Sequence, residues 1–132
     1  MAEGLARAMA SEDVEVASAG TKPNPKGVHP VALEMLRERN VDVSAMRPKH
    51  IDDLHGEFDY VITLCDSAAQ ECPMYPARLA RMHWGQPDPD AAGDDPLKVR
   101  AMFEQVRTKI EELLKDFLAA KGLLKTKNAG SR

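Results

Sequence analysis

DYVITLC, residues 59–65, is nearly continuous in apolar and β-branched residues. Such a run reads as a strand buried on both faces, the pattern of a parallel sheet. It ends on Cys65, and Cys72 follows seven residues on, in DSAAQEC. These are the only two cysteines of the chain. Two thiols near the carboxyl edge of a sheet can form a disulfide relay, in which one thiolate attacks and the second resolves. The spacing alone leaves a bland alternative equally open, namely two unrelated cysteines, one of them buried at a strand end.

Working outward, residues 79–84 form a weaker strand candidate. PDPDAAGDDP, residues 87–96, is a loop that delivers Asp95 as a cap and Pro96 as a first helical residue. The helix that follows runs to about residue 120. Val99, Met102, Phe103, Val106, Ile110, Leu113, Leu114, Phe117 and Leu118 fall at three- and four-residue steps along it. Upstream, residues 49–54 suggest a further helical turn. Residues 29–39 read as a helix with Pro30 in its first turn and Ala32, Met35 and Leu36 as its apolar stripe. Residues 18–27 are a Pro- and Gly-rich loop, and residues 14–17 (VEVA) alternate as a strand does. Residues 2–10 read as a short helix that begins without a capping residue, as though the chain started in the middle of a unit.

Helices alternating with strands predict an α/β domain with a parallel sheet. Three strands are visible, whereas a doubly wound sheet of this size would have four or five. The expected organisation is one domain over residues 1–121, then a basic flexible tail over residues 122–132.

Composition narrows the function classes. Hydrophobic residues are 43% and charged residues 30% of the 132, which reads as a soluble globular chain. The net charge of -3 argues against nucleic acid as the main ligand. No apolar run approaches membrane-spanning length, and MAEGLARAMA lacks a basic segment followed by an apolar one. A cytoplasmic location is therefore expected, where two cysteines stay reduced and reactive. The histidines at 29, 50, 55 and 83 show no paired ligand spacing, which argues against zinc.

Two further motifs compete with bland readings. Cys72 to Arg78, CPMYPAR, matches the C-x5-R pattern of phosphatases with a cysteine nucleophile. Such a loop cradles an oxyanion with successive backbone N–H groups. Pro73 and Pro76 remove two of those donors, and no buried strand leads directly into Cys72, so the match reads as a decoy. Asp88, after HWGQP, could donate a proton to a departing oxygen. A solvated acidic loop is the local reading favoured over it.

Taken together, MAEGLAR, SAGT, the HP-initiated helix, VDVS, KHIDDL, FDYVITLCDSAAQECP, MHWGQPDPD and FEQVRTKIEELL resemble the thioredoxin-coupled arsenate reductases. These share the three-layer, flavodoxin-like fold of the low-molecular-weight protein tyrosine phosphatases, and the likeness runs to about residue 121. The resemblance implies a cascade. A first cysteine, in a C-x5-R loop after the first strand, attacks arsenate. A second attacks the adduct and arsenite leaves. A third takes over the disulfide, which thioredoxin reduces. Cys65 corresponds to the second thiol, Cys72 to the third, and Asp88 to the acid on the loop after the last strand. Some members bind potassium beside the oxyanion loop, and Glu3 and Ser18 resemble two of its ligands. Lys49 stands where some relatives have an acidic ligand, so its ammonium could replace the ion.

The resemblance also marks a departure. The family's central first strand and its C-x5-R loop would precede Met1. Without them the chain is expected to keep the Cys65–Cys72 switch but not to reduce arsenate. A swapped homodimer would fill the gap only if another segment supplied a strand, and none here suggests itself. The alternatives are a hydrolase of the phosphatase type, using Cys72 and Arg78, and a non-enzymatic dithiol protein that binds arsenite or thioredoxin.

Overall fold

The computed structural model of the chain describes residues 1–20, 27–44, 46–64, 75–86 and 93–125. Three helices and two strands make up the described architecture. They are α1 (Ala2–Met9), α2 (Pro30–Glu38), β1 (Tyr60–Thr63), β2 (Ala80–His83) and α3 (Pro96–Ala120), with a 3-10 turn at Ile51–Asp53.

The helix ends follow local chemistry. α3 starts where Asp95 accepts a hydrogen bond from the Leu97 N–H at 3.0 Å, with Pro96 in the first turn. α2 starts in the same way, with His29 Nδ1 accepting from the Val31 N–H. His50 Nδ1 accepts from the Asp52 N–H and opens the 3-10 turn. Two of the four histidines are thus occupied as caps. α1 has no side-chain cap, as its sequence implied.

α3 is the element on which the rest is assembled, in contact with both α1 and α2. Its buried stripe is Val99, Phe103, Val106, Ile110, Leu114 and Leu118. The carboxyl half of that stripe joins Leu5, Ala10 and Leu36 in one apolar cluster, while Val99 and Phe103 join Ala32 and Met35 in a second. Gly4 lets α1 approach closely, since a Cβ there would meet both Leu36 methyls at 3.0 Å. Across the solvent side of the α2–α3 seam, Arg100 reaches Glu34 and Glu38, and Arg39 reaches Glu111. Phe117, near the end of α3, is met edge-on by Tyr60 of β1 and by Trp84 just past β2. Aromatic pairs of this geometry bind the strand pair to the helix layer.

β1 and β2 pair in parallel, with Tyr60 opposite Ala80 and Thr63 opposite His83. The fold is α/β with a parallel sheet, as the sequence predicts. Three expectations are corrected. β1 is half-buried along its length rather than buried on both faces, because among the described residues only β2 flanks it. Residues 14–17 form no strand. Val14 and Val16 are half-buried while Glu15 and Ala17 are exposed, so the strand pattern survives, but no described neighbour offers a ladder. Among the described residues, the strand-like contacts on either side of this segment are isolated bridges, Ala10 with Leu124 and Gly20 with His50. Lastly, the first residues beyond Gly122 are not loose. The Leu123 carbonyl accepts from the Ser11 N–H at 2.8 Å, and the Lys125 N–H donates to the Met9 carbonyl at 2.7 Å.

Candidate functional site

Two groups of residues matter, one at the start of α1 and one at the carboxyl ends of the strands. The first is built around Glu3, whose carboxylate is only 6% exposed. The Gly20–His50 bridge brings two distant loops together: the Gly20 N–H donates to the Lys49 carbonyl, and the Ile51 N–H to the Gly20 carbonyl, both at 2.9 Å. Ser18 and Lys49 therefore converge on the first turn of α1. Ser18 Oγ donates to Glu3 Oε1 at 2.6 Å, and Lys49 Nζ lies 3.5 Å from the same oxygen. Arg7, one turn further along α1, places Nη2 3.4 Å from Glu3 Oε2 and 2.8 Å from the Val16 carbonyl.

Burial alone would raise the Glu3 carboxyl above its ordinary value. The Ser18 hydrogen bond and the charges of Lys49 and Arg7 outweigh it and hold the carboxyl below that value. Glu3 is thus ionised at neutral pH, with two cations on it. A potassium ion does not fit this donor set: Glu3 Oε1 is already shared by the serine hydroxyl and an ammonium, and Oε2 faces the Arg7 guanidinium. Among the described residues no group of three or more His, Cys, Asp or Glu side chains could hold a metal. The resemblance pointed to Glu3, Ser18 and Lys49. It missed Arg7, although a Glu and an Arg four residues apart on a helix are a signal for such a pair.

The second group lies at the carboxyl edge of the strand pair, where open α/β sheets bind their ligands. Thr63 Oγ1 and His83 Nδ1 are 2.6 Å apart across the last register pair. Beyond it, the Trp84 N–H donates to the Thr63 carbonyl at 2.8 Å and the Gln86 N–H to the Leu64 carbonyl at 2.9 Å. The backbone is thereby pinned up to the residue before Cys65 on one side and to two residues before Asp88 on the other. Cys65, Cys72 and Asp88 themselves lie outside the described residues.

Arg78 is placed away from this edge. Its N–H donates to the Phe58 carbonyl and its guanidinium Nε holds Asp59 Oδ1 at 2.7 Å, both at the amino end of the strands. The Asp59 hydrogen bond and charge raise the guanidinium's pKa further. It is committed to a carboxylate at the opposite end of the strand pair from the edge where Cys65 follows.

Comparison with known proteins bears on the whole chain. The family model for the low molecular weight phosphotyrosine protein phosphatase matches residues 1–129. The chain belongs to this family. Within it, the chain is similar to arsenate reductases. It is 36% identical over 118 residues to the arsenate reductase of Oceanobacillus iheyensis, covering 89% of this chain and 84% of that protein. It is 39% identical to the arsenate reductase of Bacillus licheniformis over the same shares. Two solved structures agree. One, described as an arsenate reductase in the oxidized state, superposes with a TM-score of 0.71 at 26% identity, over 90% of this chain and 86% of that one. One described as being in the reduced state gives 0.59 at 27% identity, over 88% and 86%. No helix of the described residues is long and apolar enough to cross a membrane.

Proposed function

We propose that these 132 residues carry the thiol-exchange half of an arsenate reductase, with Cys65 and Cys72 as its second and third thiols. The Cys65 thiolate attacks the sulfur of a first cysteine that is bonded to arsenic. A disulfide forms, the sulfur–arsenic bond breaks, and its electron pair leaves with arsenic as arsenite. The Cys72 thiolate then attacks Cys65 and displaces the first thiol. The resulting Cys65–Cys72 disulfide is reduced by thioredoxin, which keeps the cycle in the reducing cytoplasm. Asp88 is assigned the proton donated to the departing oxygen. Lys49 takes the place of the potassium ion, supplying its positive charge to Glu3.

The observation that carries this reading is the paired carboxyl edge. The Gln86 to Leu64 hydrogen bond brings the segment leading into Cys65 beside the one leading into Asp88. Thiol exchange and oxyanion chemistry would thus share one end of the sheet. Family membership and the arsenate reductase relatives support the substrate, an arsenate oxyanion. The phosphatase reading through Cys72 and Arg78 is disfavoured by the pairing of Arg78 with Asp59.

The C-x5-R match in these 132 residues is CPMYPAR, whose two prolines remove donors that an oxyanion cradle needs, so by themselves they are expected not to turn over arsenate. Arsenate reduction measured with purified residues 1–132, thioredoxin and its reductase tests this. Robust turnover would show that no first loop is needed. Tight arsenite binding, lost in both Cys65→Ser and Cys72→Ser, would favour a dithiol binding protein instead.

A further inference from the structure

α1 lacks the local signals that hold a helix end. It has eight residues and no side-chain cap at its start, and an isolated helix shorter than about 12 residues is marginal in water. Ala10, where it stops, is extended (φ -83°, ψ 155°), not the left-handed glycine that commonly closes a helix. The Ala6 carbonyl accepts from the Ala10 N–H at 2.8 Å. The carbonyl of Met9, the last residue of α1, is reached instead by the Lys125 N–H, at 2.7 Å.

We propose that the Lys125 backbone N–H is a non-local cap of α1, and that through the last helical turn it positions the Arg7 guanidinium on Glu3 and on the Val16 carbonyl. Residues 123–125 are then a strap that supports the Glu3 cluster from the opposite end of α1.

The end of α3 builds the strap. Gly122 takes a φ of 70°, in the left-handed region. The turn is closed by the Leu123 N–H on the Leu118 carbonyl at 2.7 Å and the Gly122 N–H on the Ala119 carbonyl at 3.2 Å. The chain reverses there, and Leu124 forms an antiparallel bridge with Ala10. The bond from the Ser11 N–H to the Leu123 carbonyl and the one from Lys125 to Met9 flank that bridge. Leu123 and Leu124 pack against the cluster that holds Leu5 and Leu118, which anchors the strap to the core. Arg7 lies in the last turn of α1. Its Nη2 is 2.8 Å from the Val16 carbonyl and 3.4 Å from Glu3 Oε2. Its side chain is half-exposed, so its place is set by the backbone of the turn that carries it. A last turn whose terminal carbonyl loses its donor frays, and Arg7 leaves both acceptors with it.

One neutral hydrogen bond corresponds to about fivefold in a folding equilibrium. Releasing Arg7 from its carbonyl and carboxylate adds about fourfold, less than a full charged hydrogen bond because the guanidinium is half-solvated. Lys125→Pro deletes the N–H, and Leu124, in its antiparallel bridge, already has the extended backbone that a following proline favours. This variant should lower the folded-to-unfolded ratio about twentyfold, the product of the two effects. Lys125→Ala keeps the N–H and should match wild type. In Arg7→Ala no guanidinium remains to be displaced, and there Lys125→Pro should cost only about fivefold.

Urea denaturation of the full 132-residue chain measures this cycle: wild type, Lys125→Pro, Arg7→Ala and the double variant, with Lys125→Ala beside them. A second cycle replaces Arg7→Ala by Asp95→Ala, at the start of α3, where the two losses should simply multiply. Gly122→Val strains the left-handed turn at a position where, among the described residues, a Cβ meets no atom within 4 Å. It loosens the strap from its other end and should show the same dependence on Arg7. The expected result is about fourfold coupling of residue 125 with Arg7 and none with Asp95. A Lys125→Pro loss of equal size with and without Arg7 makes the strap a general support of the fold and overturns the inference. A wild-type loss below about twofold overturns it as well, and so does an equal loss in Lys125→Ala.

Discussion

Replacing Glu3 by Gln keeps the shape of the side chain and one acceptor oxygen while removing its charge. The carboxylate is 6% exposed and receives a 2.6 Å hydrogen bond from Ser18. A hydrogen bond to a charged group contributes about 1.5–3 kcal/mol, and Gln retains about half of that as a neutral acceptor. The contacts from Lys49 and Arg7 are longer, 3.5 and 3.4 Å, and both cations are partly solvated, so each adds little. The expected loss is about 1.5 kcal/mol at pH 7, or about 5 °C in melting temperature for a domain of this size. The sign of the pH dependence follows from the depressed Glu3 carboxyl. A carboxylate with a lowered folded-state value contributes stability that is present above its unfolded value and is lost as pH falls through the folded one. The gap between wild type and Glu3→Gln should therefore narrow in acid, below the ordinary glutamate range. Urea denaturation of both proteins across that range measures it. Equal stability at pH 7, or a gap that persists undiminished in acid, would refute the reasoning.

Exchanging sodium for potassium at constant ionic strength should leave the melting temperature unchanged, because Lys49 already occupies Glu3; a rise in potassium would show that the carboxylate prefers the metal ion. Asp95→Ala removes the hydrogen bond to the Leu97 N–H and should cost about 1 kcal/mol, read by urea denaturation. Leu114→Ala empties a buried position facing α1 and should cost about 3 kcal/mol in the same experiment, and a cost under about 1 kcal/mol would contradict the placement of that stripe in the core.

The helices were legible in the sequence because their signals are local. Asp95-Pro96 and His29-Pro30 mark their own helix starts, and the three- and four-residue steps from Val99 to Leu118 mark the buried face of α3. The strands were less so, because a strand is completed by a neighbour that its own residues do not name. Residues 14–17 have the alternation of a strand and lack its ladder, and β1 has the apolar run of a central strand and only one described neighbour. Leu123 and Lys125 looked like the start of a polar tail, yet their backbone groups complete the end of α1, a non-local bond that composition cannot signal. In the candidate site, Glu3, Ser18 and Lys49 lie 46 positions apart at their extremes and were linked only through the family resemblance. Arg78 shows the converse. Its spacing from Cys72 satisfies a catalytic pattern, but its position in space is set by Asp59, nineteen residues upstream.

The most direct test of the account takes residues 1–132 with the Cys65–Cys72 disulfide formed and adds reduced thioredoxin in stoichiometric amount. The account predicts that thioredoxin opens this disulfide and is itself oxidised, much faster than glutathione at equal thiol concentration. A disulfide that forms but is reduced no faster by thioredoxin than by glutathione would contradict the assignment of Cys65 and Cys72 to a thioredoxin-coupled cascade.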